Sequence, residues 1–137
     1  MNHNAEKPIN KGCDGIIFTY LNGNGYVFIC EMKSEKPHQA DYIQQFRNSS
    51  VFIKFINVIL NEFYGFSITE FEIRYILFDK KTAFKKRTTS AKIVPKKVYS
   101  EKESYDNKEL DIYKIHHPNE NRSLDIRLLN LKIKPLK

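Results

Sequence analysis

Long apolar runs are missing from this chain. No stretch is long or clean enough to span a bilayer. The first eight residues, Met1 to Pro8, lack the apolar segment of a secretion signal. The expected location is cytoplasmic, with no membrane partner. Cysteine is scarce as well. Two in 137 residues cannot make a disulfide framework, and two free thiols suit a reducing compartment. Cys13, Cys30, His116 and His117 do not have zinc-ligand spacing. Glycine occurs only five times, and no glycine loop cradles a phosphate. A helix-turn-helix signature and an internal repeat are also absent. Acids are outnumbered, 16 against 23 Lys and Arg, for a net charge of +7. That balance favours an anionic partner.

What is present describes one folded domain over 1–137. Hydrophobic residues make up 41% of the chain, with ten Phe and eight Tyr, which argues against disorder. Asp14 opens an apolar run that ends at Tyr20. A second run starts at Tyr26 and closes on Glu31, Met32 and Lys33. Both are rich in Ile, Val, Phe and Tyr, as strands are. Between them, Asn22-Gly23-Asn24-Gly25 is a turn signal. A hairpin over 14–33, centred on Gly23 and Asn24, pairs residues whose numbers sum to 47. Asp14 then faces Lys33, and Asp14 and Glu31 are diagonal neighbours with Cα atoms roughly 7–8 Å apart. Side chains alternate along each strand, so Asp14, Glu31 and Lys33 converge on one side of the open end. Cys13 and Cys30 fall on the other side, too far apart along the ladder to bond. A slip of one residue would separate the acids. Hard oxygen donors at one strand end suit Mg²⁺ or Mn²⁺. Lys33 beside them can orient or deprotonate a water, or steady charge on a phosphate.

The spacing predicts a helix over 37–64. Pro37 sits in its first turn and Gly65 marks its end. Tyr42, Phe46, Ser49, Ile53, Ile56, Leu60 and Phe63 form its apolar stripe, widened by Ile43, Phe55 and Ile59. Asn48-Ser49-Ser50 is a weak point where a kink is expected. Its first turns follow Lys33 closely, so Gln44, Gln45, Arg47 and Asn48 are candidates to face a substrate, Gln45 first. A strand is predicted over 68–78, joining the sheet parallel to the strand before it. Composition then shifts. The stretch 80–97 holds Lys80, Lys81, Lys85, Lys86, Arg87, Lys92, Lys96 and Lys97 and no acid. It reads as a solvated loop or as an arm for a phosphate backbone, with Thr88, Thr89 and Ser90 as further donors. The segment 99–111 swings acidic and reads as a polar connection, partly helical. Residues 112–117 and 124–133 read as strands or short apolar elements.

The Asp14…Glu31-Met32-Lys33 arrangement resembles the PD-(D/E)XK nuclease superfamily, with Cys13 where a proline often stands. The resemblance covers about residues 12–78. It implies a restriction-endonuclease-like α/β fold: a mixed sheet packed on the long helix, with 79–137 as a basic and β extension. It also implies Mg²⁺- or Mn²⁺-dependent hydrolysis of DNA, less often RNA, leaving a 5′-phosphate. Asp14, Glu31 and the Met32 backbone carbonyl would hold the metal. Lys33 would act on the water, with Gln45 as a helper on the helix. Family members usually carry a helix and a strand ahead of the Asp strand. Only the arm 1–13 precedes Asp14 here, so the expected partners are nucleic acid and a second copy or other subunit supplying those elements. A non-catalytic nucleic-acid-binding or assembly module with the same fold is the alternative.

Overall fold

The computed structural model describes residues 10–33, 37–79, 100–105 and 107–116. The fold is α/β, with one helix and a five-stranded mixed sheet. Strands β1 (Gly15–Leu21) and β2 (Asn24–Lys33) form the first hairpin. Helix α1 (Gln39–Tyr64) crosses to β3 (Glu72–Asp79). Strands β4 (Ser100–Tyr105) and β5 (Lys108–His116) form a second hairpin. The order across the sheet is β1-β2-β3-β5-β4. β2, β3 and β5 run parallel, and β1 and β4 are antiparallel edges.

The first hairpin turns one residue earlier than the sequence suggests. Its partners sum to 45, from Gly15↔Cys30 to Leu21↔Asn24. Asn22 and Gly23, with φ of 51° and 79°, take the two left-handed positions of a type I′ turn. Asn22-Gly23 forms the more favourable dipeptide for that turn than Gly23-Asn24, so it sets the register. The offset from the expected pairing is two residues. An even offset leaves every side chain on its expected side of the sheet.

β2 is buried on both faces, from Tyr26 to Ile29, which accounts for its unbroken apolar run. Toward α1, Val27 and Ile29 pack with Tyr42, Ile43, Phe46, Ile53, Ile68, Leu77 and Ile112. On the other face, Tyr26 and Phe28 cluster with Ile76, Tyr113 and Ile115. Gly25 is required by packing: a Cβ there would lie 2.6 Å from the Phe71 ring.

α1 starts at Gln39, with Pro37 outside it. His38 is the N-cap and makes no side-chain cap bond, while Asp41 places an acid in the first turn. Its end is as expected. Gly65 adopts φ 62°, its N–H donates to the Asn61 carbonyl, and Phe66 N–H donates to the Leu60 carbonyl. That is a Schellman closure. The helix runs unbroken through Asn48, Ser49 and Ser50. Ser50 returns its hydroxyl to the Phe46 carbonyl, while the Asn48 amide donates to, and the Ser49 hydroxyl oxygen accepts from, the chain ahead of β1. The core stripe of α1 is narrower than expected: Ile53, Ile56 and Leu60 pack into or against the core, whereas Phe55, Ile59 and Phe63, expected to widen or extend the stripe, are exposed.

β3 begins at Glu72 rather than Ile68. Ile68 N–H donates to the Asn57 side chain, and Phe71 N–H donates to the Ile68 carbonyl, so 68–71 form a turn anchored to the helix. The acidic stretch read as a partly helical connection is instead β4 and the start of β5. Its charges alternate, which suits an exposed edge strand. Cys13 packs toward α1 and Cys30 on the opposite face. They do not share a side, because Cys13 lies ahead of β1, where the chain has left the ladder. Both are free thiols. No helix among the described residues is long and apolar enough to cross a membrane.

Candidate active site

The odd-numbered residues of β2 face α1, so Glu31 and Lys33 follow Val27 and Ile29 onto that side. Glu31 is only 2% exposed, and a bare carboxylate there would be costly. Lys33 answers it: Nζ lies 2.7 Å from Glu31 Oε1. Asp14 stands one step beyond Gly15↔Cys30, level with Glu31 rather than opposite Lys33. Two hydrogen bonds fix it there. Asp14 N–H donates to Glu31 Oε2 (3.2 Å), and Met32 N–H donates to Asp14 Oδ2 (2.7 Å). All three expected residues therefore meet at the open end of the hairpin. The Met32 side chain points away, exposed on the far side.

α1 supplies the rest. Lys33 Nζ also donates to Gln45 Oε1 (2.9 Å), and Gln45 Nε2 donates to the Gly12 carbonyl (3.2 Å). Asn48 Nδ2 donates to the Lys11 carbonyl (2.7 Å), and Cys13 N–H donates to Ser49 Oγ (3.0 Å). Positions 45, 48 and 49 are neighbours on one helix flank. That flank holds residues 11–13 in place and so presents Asp14. Gln45 is brought to Lys33 as expected, whereas Gln44 turns to Asn48.

The donor chemistry fits a magnesium-like cation. Asp14 is exposed and its Oδ1 takes no hydrogen bond among the described residues. Each Glu31 oxygen accepts one bond and keeps a lone pair. Among the described residues no group of three or more His, Cys, Asp and Glu is placed to hold a metal. Two carboxylates with water are the set Mg²⁺ commonly uses. The Cys13 thiol is pushed up to about 12, chiefly by burial, with Ser49 opposing and Glu31 and Asp14 adding. It is held neutral beside the acids rather than acting as a nucleophile.

A second polar cluster lies along the same face, and sequence reasoning missed it. Tyr42 O–H donates to Glu103, and Gln39 Nε2 donates to Glu103 as well (3.3 Å). Lys114 bridges Glu103 and Glu101, the latter at 2.9 Å. Burial foremost, then the Glu103 hydrogen bond, raises the Tyr42 hydroxyl above its ordinary range. Burial opposes the Lys114 charge, yet its bonds to Glu103 and Glu101 prevail and raise it. Asp79 is level with Lys33 across β2 and β3 and is buried. The available signal was Glu101 and Glu103 two apart, on one side of a strand. Gln39 and Tyr42 therefore serve this cluster and not the Asp14 group. The cations expected over 80–97 (Lys80 to Lys97) and His117 lie outside the described residues. His116 ends β5.

Comparison with protein-family models, with curated proteins and with solved structures found no significant match for the chain.

Proposed function

We propose that the chain is a metal-dependent nuclease of the PD-(D/E)XK type with a restriction-endonuclease-like core. One observation carries the reading. Asp14, Glu31 and Lys33 are gathered on one side of the sheet at the C-terminal end of β2, joined by hydrogen bonds. In open α/β sheets that end is where ligands bind. Asp14 and Glu31 would hold Mg²⁺ or Mn²⁺, with the Met32 carbonyl assisting. Such an ion makes bound water more acidic and neutralises a phosphate oxygen.

The chain's own groups have separate tasks. Lys33 spends two of its three N–H donors on Glu31 and Gln45. The third is left for the attacking water or a phosphate oxygen. Gln45 positions that ammonium and does not itself reach the reacting atoms. In the hydrolysis, water oxygen bonds to phosphorus and the bond to the 3′ oxygen breaks. A 5′-phosphate and a 3′-hydroxyl result. The cations of 80–97 would track the phosphate backbone of DNA, or of RNA.

Asp14→Asn is the direct test. The amide oxygen can still accept from Met32 N–H, so folding is preserved while the carboxylate charge is lost. With circular single- and double-stranded DNA and RNA, wild type should cleave with Mg²⁺ and not with EDTA. The variant should lose about 100-fold or more. Equal cleavage by both proteins would refute the assignment.

A second reading has its own observation. Both Glu31 oxygens are already engaged within the protein, as in a purely structural ion pair. The chain would then be a nucleic-acid-binding or assembly module without chemistry. It predicts salt-sensitive DNA binding and no heat of Mg²⁺ or Mn²⁺ binding in calorimetry.

A further inference from the structure

The two edges of the sheet are unlike. β4 carries Glu101, Lys102 and Glu103, the charges that normally keep an edge from pairing. β1 reads Gly-Ile-Ile-Phe-Thr-Tyr-Leu, with no charge and no proline. Among the described residues nothing pairs with its outer side. Ile17 is 53% exposed, Phe18 41% and Tyr20 57%. Beside this edge runs a groove of about 310 Å³ between β1 and α1, lined by Cys13, Ile16, Ser49 and Phe52. Ile59 and Phe63 follow Phe52 at steps of seven and four, on the same helix flank, and both are exposed.

We infer that β1 is a self-association surface, where a second copy of this chain pairs antiparallel along Gly15–Leu21 and continues the sheet. The inference is independent of the proposed chemistry. Three observations select a second copy. A neutral edge meets its own twin without like-charge repulsion, although each chain carries +7. It offers no cation to a nucleic acid. Residues 11–13 are held against α1 by Gln45, Asn48 and Ser49, so the chain directly ahead of β1 does not fold back along that edge. An antiparallel pair around a two-fold axis is also the isologous arrangement most homodimers use.

The area suffices. At about 200 Å² per aromatic side chain, the open parts of Phe18, Tyr20, Phe52 and Phe63 amount to on the order of 450 Å² per copy. Two copies, with Ile17, Ile59 and the strand backbone, approach the roughly 1,200 Å² at which stable interfaces begin.

Sedimentation equilibrium of the full chain from about 5 to 100 μM tests this. Wild type should sediment at twice the chain mass. Phe18→Lys and Ile17→Lys, on opposite faces of the strand, should each weaken the dimer at least tenfold with an unchanged far-ultraviolet spectrum. Hydrogen exchange gives a readout that needs no variant: the β1 amides that point away from β2 should lose protection on dilution. A monomeric wild type at 100 μM overturns the inference. So does a dimer indifferent to both lysines, or protection of those outward amides that persists in a monomer, which would mean the chain covers its own edge.

Discussion

Lys33 serves the fold as well as the proposed site, because it is the cation that answers Glu31. The pair is unequal: the carboxylate is buried and the ammonium is a quarter exposed. Water partly screens the lysine, so the full cost of breaking a buried pair does not apply. Lys33→Ala is expected to destabilise the protein by about 1–3 kcal/mol, the cost of a buried acceptor left short of a partner. Lys33→Ala with Glu31→Gln should recover part of that loss. Urea denaturation of the single and double variants measures both. A double variant less stable than either single one would show that Glu31 relies on other partners. At this scale the site was legible in the sequence because side alternation depends only on parity. The two-residue error in pairing moved Asp14 from Lys33 to Glu31 without moving any of the three off their common side. The cluster of Glu103 and Lys114 was not legible. It needs the pairing of β4 with β5, and two alternating acids look the same in a loop.

Elements carry the next level of information. The end of α1 was readable because Gly65 has a definite conformational task. Its exposed outer stripe was not, since apolar periodicity marks a face of the helix but not how wide a strip of it the sheet covers. At the far end of the first hairpin, Gly25 and Phe71 lock β2 to the turn before β3, and Tyr20 meets the same ring edge-on at 4.9 Å. Gly25→Ala should therefore cost about 1–3 kcal/mol through overpacking. Phe71→Leu, made together with it, should be less damaging than the sum of the two single changes. Thermal melts of the three variants decide this, and simple additivity would remove the Phe71 contact from the explanation.

The whole molecule has an alkaline weakness written into its interior. Burial pushes the Cys13 thiol to about 12 and the Cys30 thiol to about 11, from an ordinary value of 9.0. Tyr42 and Lys114 are raised as well. In each case the folded state keeps a proton that the unfolded state gives up sooner. Their contribution is fully present below the unfolded values. It falls as pH rises, from about 9 for the thiols to beyond 11. Melting temperature should therefore decline steadily across pH 9–11. Cys13→Ser with Cys30→Ser should flatten the slope at its lower end. Slow alkylation of both thiols at pH 8 in the native protein, and fast alkylation in urea, checks the same burial chemically.

The type I′ turn at Asn22-Gly23 bears on more than its own two residues. The two left-handed residues of that turn fix which residues of β1 and β2 stand opposite each other. A slip of two along the ladder would change the partners yet leave each side chain facing as before, whereas a slip of one would turn Asp14 away from Glu31. Substitutions at Asn22 and Gly23 therefore bear on the arrangement of the acids at the opposite end of the hairpin, although neither residue touches them.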